Sequence, residues 1–203
     1  MLLLSRSSLY SSCTTTGSTI LGELVNRRIF LGAALAAAST PAFARSQLRS
    51  KLDKPRLLSF HHLHTDERLT LTYRKGDHYQ RSSLDRLDRF LRDFRTGEVT
   101  SIDPRLFDLL FDVKQVLGHD DAVFEILSGY RSPQTNAMLR RTSSAVAKRS
   151  LHMSGKALDI RISDMPTRSI RDAALRLSRG GVGYYSRSDF VHVDTGSVRR
   201  WGA

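Results

Sequence analysis

Two short segments of the chain concentrate side chains able to hold a metal ion. Ser150-Leu151-His152-Met153-Ser154-Gly155-Lys156-Ala157-Leu158-Asp159 carries an imidazole and, seven positions later, a carboxylate. Asp189-Phe190-Val191-His192-Val193-Asp194 carries a second imidazole between two carboxylates. Zinc in hydrolytic sites takes three protein ligands from His and Asp or Glu and keeps one position for water. His152, Asp159 and His192 meet that count. An odd spacing along a straight strand puts two side chains on opposite faces, so the chain must bend between His152 and Asp159, and Gly155 is placed to supply the turn. The only cysteine is Cys13, which excludes a disulfide framework and a thiolate metal site. His61-His62-Leu63-His64 is denser in imidazole, but no carboxylate stands at a matching spacing, and it reads as strand surface.

These side chains need elements to position them. Leu57 to Phe60 and Leu69 to Tyr73 read as two short strands of a hairpin, the second alternating Leu69, Leu71, Tyr73 against Thr70 and Thr72. Leu84, Leu87, Phe90, Leu91 and Phe94 form a helical stripe ending at Gly97. Asp103-Pro104 opens a second helix, Asp as N-cap and Pro at the first helical position, and Gly118 closes it. Val123 to Leu127 is an apolar strand running into Ser128-Gly129-Tyr130-Arg131, and Ser132-Pro133 starts a helix reaching about Arg141. Thr142 to Arg149 is polar, basic and poor in bulky apolar residues, as in a loop. In Ala157 to Ile162, Leu158, Ile160 and Ile162 share one face, which turns Asp159 to the other. A helix from Met165-Pro166 with Ile170, Ala173, Ala174 and Leu177 runs to Gly180-Gly181. Two strands, Val182 to Tyr185 and Phe190 to Val193, follow. The expected class is α+β, a small antiparallel sheet flanked by helices with the metal site on the sheet.

The first residues read differently. Before Arg45 the chain is rich in Ser, Thr, Ala and Leu, and its only charges are Arg6, Glu23, Arg27 and Arg28. Arg27-Arg28 leads into an Ala-rich apolar run and then Pro41-Ala42-Phe43-Ala44, a small-x-small cleavage pattern. The segment resembles a twin-arginine export signal, although Asn26 replaces the usual Ser or Thr before the arginines. Its apolar run falls well short of the ~20 residues needed to span a bilayer. Residues 1–44 are therefore expected to be a signal peptide, 45–55 a basic linker and 56–203 one peptidase domain, acting in the periplasm. Loss of Cys13 with the signal suits an oxidising compartment.

The motifs in the domain resemble those of zinc peptidases of the D-alanyl-D-alanine carboxypeptidase and endopeptidase family, which act on peptidoglycan. In that family His-x6-Asp precedes a late His. The likeness spans Ile102 to Trp201 and includes Ser150, His152, Gly155, Ala157 and Asp159 in order, Ser128-Gly129-Tyr130-Arg131, and His192, Asp194 and Gly196. The run Gly181-Val182-Gly183-Tyr184-Tyr185 places the likeness nearest the twin-arginine-exported murein endopeptidases. The resemblance implies zinc on His152, Asp159 and His192, where it would acidify a water toward pKa ~7 and polarise an amide carbonyl. It implies a general base at Asp189, three residues before the last His. Asp194, on the same strand face as His192, competes for that role or orients the ligand. Arg131 is the implied holder of an oxyanion or substrate carboxylate.

The chain of 203 residues, 40% hydrophobic and 26% charged, has a formal net charge of +12. That excludes disordered and multi-spanning membrane chains and favours an anionic partner. Nucleic acid would suit the clusters Arg140-Arg141 and Lys148-Arg149, but export selects the cell-wall polymer. The expected protein is a monomeric zinc-dependent murein endopeptidase hydrolysing amide bonds in peptidoglycan crosslinks, with no stable membrane span. The alternatives are a carboxypeptidase releasing terminal D-amino acids and a non-catalytic wall-binding domain.

Overall fold

The computed structural model describes residues 54–143 and 146–202. The expected export signal, most of the linker and the Ser144-Ala145 step of the polar loop lie outside these residues. Among the described residues no helix is long and apolar enough to cross a membrane.

Eight strands form one sheet: β1 (Arg56–His62), β2 (Arg68–Lys75), β3 (His78–Tyr79), β4 (Val123–Ser128), β5 (Ala157–Ile162), β6 (Gly181–Tyr185), β7 (Phe190–Asp194) and β8 (Arg199–Trp201). Their order is β3-β2-β1-β4-β5-β7-β6-β8. The α+β class stands, and the sheet is larger than the sequence suggested and mixed. β1 pairs parallel to β4, and β6 parallel to β8, while the other neighbours are antiparallel. The short strands β3 and β8 lacked a readable signal because two or three residues show no alternation.

Among the described residues four α-helices accompany the sheet: α1 (Arg81–Phe90), α2 (Pro104–Leu117), α3 (Pro133–Thr142) and α4 (Thr167–Leu177). Asp103 caps α2 by accepting the Arg105 N–H, and Gly118 ends it in the left-handed conformation at φ 65°. Ser132 caps α3 through the Thr135 N–H. α1 stops at Phe90, short of the end expected at Gly97. Asp93 ends the helical path by accepting the N–H groups of Arg95 and Ser132 on its own carboxylate, which competes with helix continuation. α4 ends at Ser178, in the left-handed region at φ 50°, so the Gly180-Gly181 pair serves the next strand instead.

The core lies between one sheet face and the helices. Leu58, Phe60, Phe124, Ile126, Leu158, Ile160, Val191 and Val193 point inward by strand alternation and meet Leu87, Leu106, Phe107, Leu110, Val113 and Ile170. His62 belongs to this face as well. It is fully buried against Phe90 and Phe94, which corrects the surface reading of the histidine cluster.

Candidate metal centre

The opposite face of β5, β7, β6 and β8 carries the site, and the strand register lays it out in rows. Asp159 pairs with His192, His192 with Gly183 and Gly183 with Trp201. One step along, Ala157, Asp194, Gly181 and Arg199 share the next row by the same alternation. The two glycines leave the sheet surface bare. A Cβ on Gly183 would stand 2.5 Å from Trp201 Cε2, and one on Gly181 2.4 Å from Asp194 Oδ2. Trp201 and Arg199 on the edge strand therefore reach across β6 to the residues of β7.

His152 arrives from outside the sheet. Ser150 caps a turn of 3-10 helix, Leu151–Ser154, and Gly155 reverses the chain at φ 64°, the bend the His152–Asp159 spacing required. A side chain at Gly155 is excluded twice, by its φ and by the Ser101 carbonyl, 2.3 Å from where a Cβ would lie.

His152 Nε2, His192 Nδ1 and Asp159 Oδ1 converge. The nitrogens stand 3.2 Å apart, and the carboxylate oxygen lies 3.2 Å from His152 and 2.9 Å from His192. All three residues are buried, and they form the one group of metal-capable donors found among the described residues. Each ring is held from behind. His152 Nδ1 donates to the Gly129 carbonyl at 2.7 Å, and His192 Nε2 donates to Asp194 Oδ2 at 3.1 Å. Those bonds turn the remaining lone pairs of both rings toward one point, beside a carboxylate oxygen. A metal ion would satisfy that convergence, and the two-imidazole, one-carboxylate set suits zinc. Burial raises the Asp159 pKa, but its contacts with His152 and His192 outweigh this and hold it well below the usual carboxylate range. Burial lowers the His192 pKa, but hydrogen bonds to Asp159 and Asp194 raise it more.

Asp194 is fully buried and serves the site from behind. Gly181 N, Gly196 N, Arg199 Nη1, Arg199 Nη2 and His192 Nε2 all donate to it, which fills the roughly four acceptor sites of a carboxylate. A general base needs a free lone pair, and Asp194 has none. Asp189 is placed differently from expectation. Its backbone sits at φ 50° in the β6–β7 turn, Oδ1 accepts from Thr167 Oγ1 at 2.8 Å, and Arg161 lies beside Oδ2. It lines a separate depression with Glu125 and Pro166, away from the histidines.

A groove of about 450 Å³ opens over the three donors. Arg131, Arg149 and Arg199 line it, with Tyr185, Phe190 and Trp201 as an aromatic wall and Val146, Ala147 and Leu151 among the remaining residues. Arg131 Nη2 donates to Ser128 Oγ at 3.2 Å and lies 3.4 Å from Asp159 Oδ2, while its Nε is buried without a partner. Burial lowers its pKa against the opposing pull of Asp159, yet a guanidinium stays charged. Asp159 is the only carboxylate among the lining residues. Sequence reasoning gave Arg199 and Trp201 no role at the site.

Residues 50–201 match the family described as peptidoglycan L,D-endopeptidase MepK. The chain belongs to this family of peptidoglycan peptidases. The MepK of Escherichia coli K12, named peptidoglycan L,D-endopeptidase, is 44% identical over 181 residues, covering 87% of this chain and 97% of that relative. A probable MepK from Haemophilus influenzae is 45% identical over 148 residues, 73% of this chain and 80% of that protein. The match to the MepK family takes in both histidine segments, the Ser128 to Arg131 turn and the edge strand with Trp201.

Proposed function

We propose that this chain is a zinc-dependent endopeptidase that cuts L,D amide bonds in peptidoglycan crosslinks, working in the periplasm after twin-arginine export. The observation that carries the reading is the convergence of His152, Asp159 and His192 at the floor of a groove with a buried guanidinium. Kinship to MepK supplies the bond type. His152 Nε2, His192 Nδ1 and Asp159 hold the ion in this reading. A divalent ion bound there supplies Lewis acidity, polarising a carbonyl and lowering the pKa of water.

The chain's own groups do the rest. The Gly129 carbonyl and Asp194 keep both imidazoles in the ligating tautomer, so no reorganisation accompanies loading. Arg131, anchored by Ser128, offers its guanidinium to negative charge on the substrate, either the developing oxyanion or a carboxylate of the stem peptide. Arg149 and Arg199 extend that positive field along the groove and draw in an anionic peptide. Tyr185, Phe190 and Trp201 exclude water from one wall.

Protein purified from cells producing the full chain tests the reading. Its metal content is measured, and it is incubated with L,D- and D,D-crosslinked muropeptide dimers with and without chelator. Chelator-sensitive conversion of the L,D dimer to monomers is expected. Release of single terminal D-amino acids would make it a carboxypeptidase, and absence of both bound metal and cleavage would sink the metal-site reading.

A further inference from the structure

Tyr185 has a feature that the proposed metal chemistry leaves unused. It faces the groove from β6, in the same face series as Gly181 and Gly183. Its ring stacks on Phe190 at a centroid distance of 4.4 Å and an interplanar angle of 14°. Its oxygen is held separately, because Trp201 Nε1 donates to Tyr185 Oη at 3.0 Å. An indole N–H only donates, so this bond occupies a lone pair of the phenol and leaves the phenolic O–H to be given elsewhere. No acceptor for it is found among the described residues. Trp201 in turn lies over bare Gly183, with its ring centroid 5.1 Å from that of His192. Ring plane and oxygen are thus both fixed, one indole away from a proposed metal ligand. Arg131 lines the same groove.

Resting on the peptidase reading, we propose that Tyr185 is a catalytic hydrogen-bond donor. Its O–H points to the scissile carbonyl oxygen and strengthens its hold as that oxygen becomes tetrahedral and negative, while Trp201 is the positioning residue that aims it. The phenol keeps its proton throughout and stabilises charge as a fixed dipole in a partly desolvated groove. Donors of this kind are organised before the reaction and lose little on reorganisation. The competing explanation is that the Tyr185–Trp201 bond only ties edge strand β8 to β6.

Tyr185→Phe separates the two, since it removes one oxygen and keeps the stack on Phe190. Metal content and Tm unchanged, with kcat on the crosslinked dimer down by roughly 10²-fold and KM little altered, is the expected result. Trp201→Phe is expected to lower kcat by less, and to lower it less again in the Tyr185→Phe background than in the parent. A second readout needs no turnover: calorimetric binding of a phosphinate analogue of the crosslink peptide. Tyr185→Phe should weaken the analogue by about the factor lost in kcat and leave binding of the cleaved product peptide unchanged. Full activity in Tyr185→Phe, a loss confined to KM, or equal weakening of analogue and product overturns the proposal. A parent protein that neither cleaves the dimer nor binds the analogue instead defeats the peptidase reading.

Discussion

His192 Nε2 lies 3.1 Å from Asp194 Oδ2, two residues along one strand and on one sheet face, with the carboxylate completely buried. Strand alternation puts both side chains on one face, and the donors gathered on Asp194 hold its carboxylate against the ring. The result is a histidine whose tautomer is chosen by its neighbour, leaving Nδ1 for the groove.

Asp194→Asn tests this relationship. The amide keeps the shape but weakens the anchor for the His192 ring and for Arg199. Metal affinity is expected to fall roughly 10–100-fold, with activity restored in part by excess metal. Metal titration against a competing chelator reads the affinity directly.

Asp189→Ala should leave crosslink cleavage close to that of the parent, because the carboxylate is engaged by Thr167 in a different depression. The lost hydrogen bond costs about 1 kcal/mol of stability. A steady-state assay at saturating metal checks this. A drop in kcat of roughly 10²-fold or more would return Asp189 to the role of general base.

Gly183→Ala places a methyl 2.5 Å from Trp201 Cε2. Overpacking of this kind costs about 1–3 kcal/mol, and the indole must leave its position over β6. Cleavage should fall by far more than the fraction of protein unfolded. Parallel thermal melts and assays distinguish the two effects.

His62 gives the fold a pH dependence. Its burial, with His64 nearby, lowers its pKa from 6.5 to about 4 in the folded protein. As pH falls below 6.5 the unfolded chain takes up this proton first, so stability is full above that value and declines on the way down to about 4. The loss over that window is about 3 kcal/mol by linkage. Denaturant unfolding of the parent and of His62→Phe at several pH values should show the variant lacking that part of the slope.

Much of this molecule is legible without coordinates, because the local signals are strong. Asp103-Pro104 and Ser132-Pro133 announce their helices through capping chemistry, and the alternation of Leu158, Ile160 and Ile162 puts Asp159 on the opposite face from the core. A bend between His152 and Asp159 was required by geometry, and the chain turns at Gly155, at φ 64°.

Other features depend on contacts between distant segments. His62 could be assigned to the buried face only once β1 was paired beside β4 and covered by α1. Asp189 and Asp194 flank His192 in one hexapeptide, yet the left-handed turn sends the first toward Thr167, while the strand buries the second beneath Arg199. The sequence by itself determined the residue types at the centre, the bend that unites two of them and the class of fold, since these follow from spacing and short-range sterics. Only the tertiary structure decided which carboxylate supports His192 and that Trp201 and Tyr185 wall the groove. Those roles arise where β8 lies parallel to β6 across two glycines, a pairing set by packing rather than by any local preference of the residues involved.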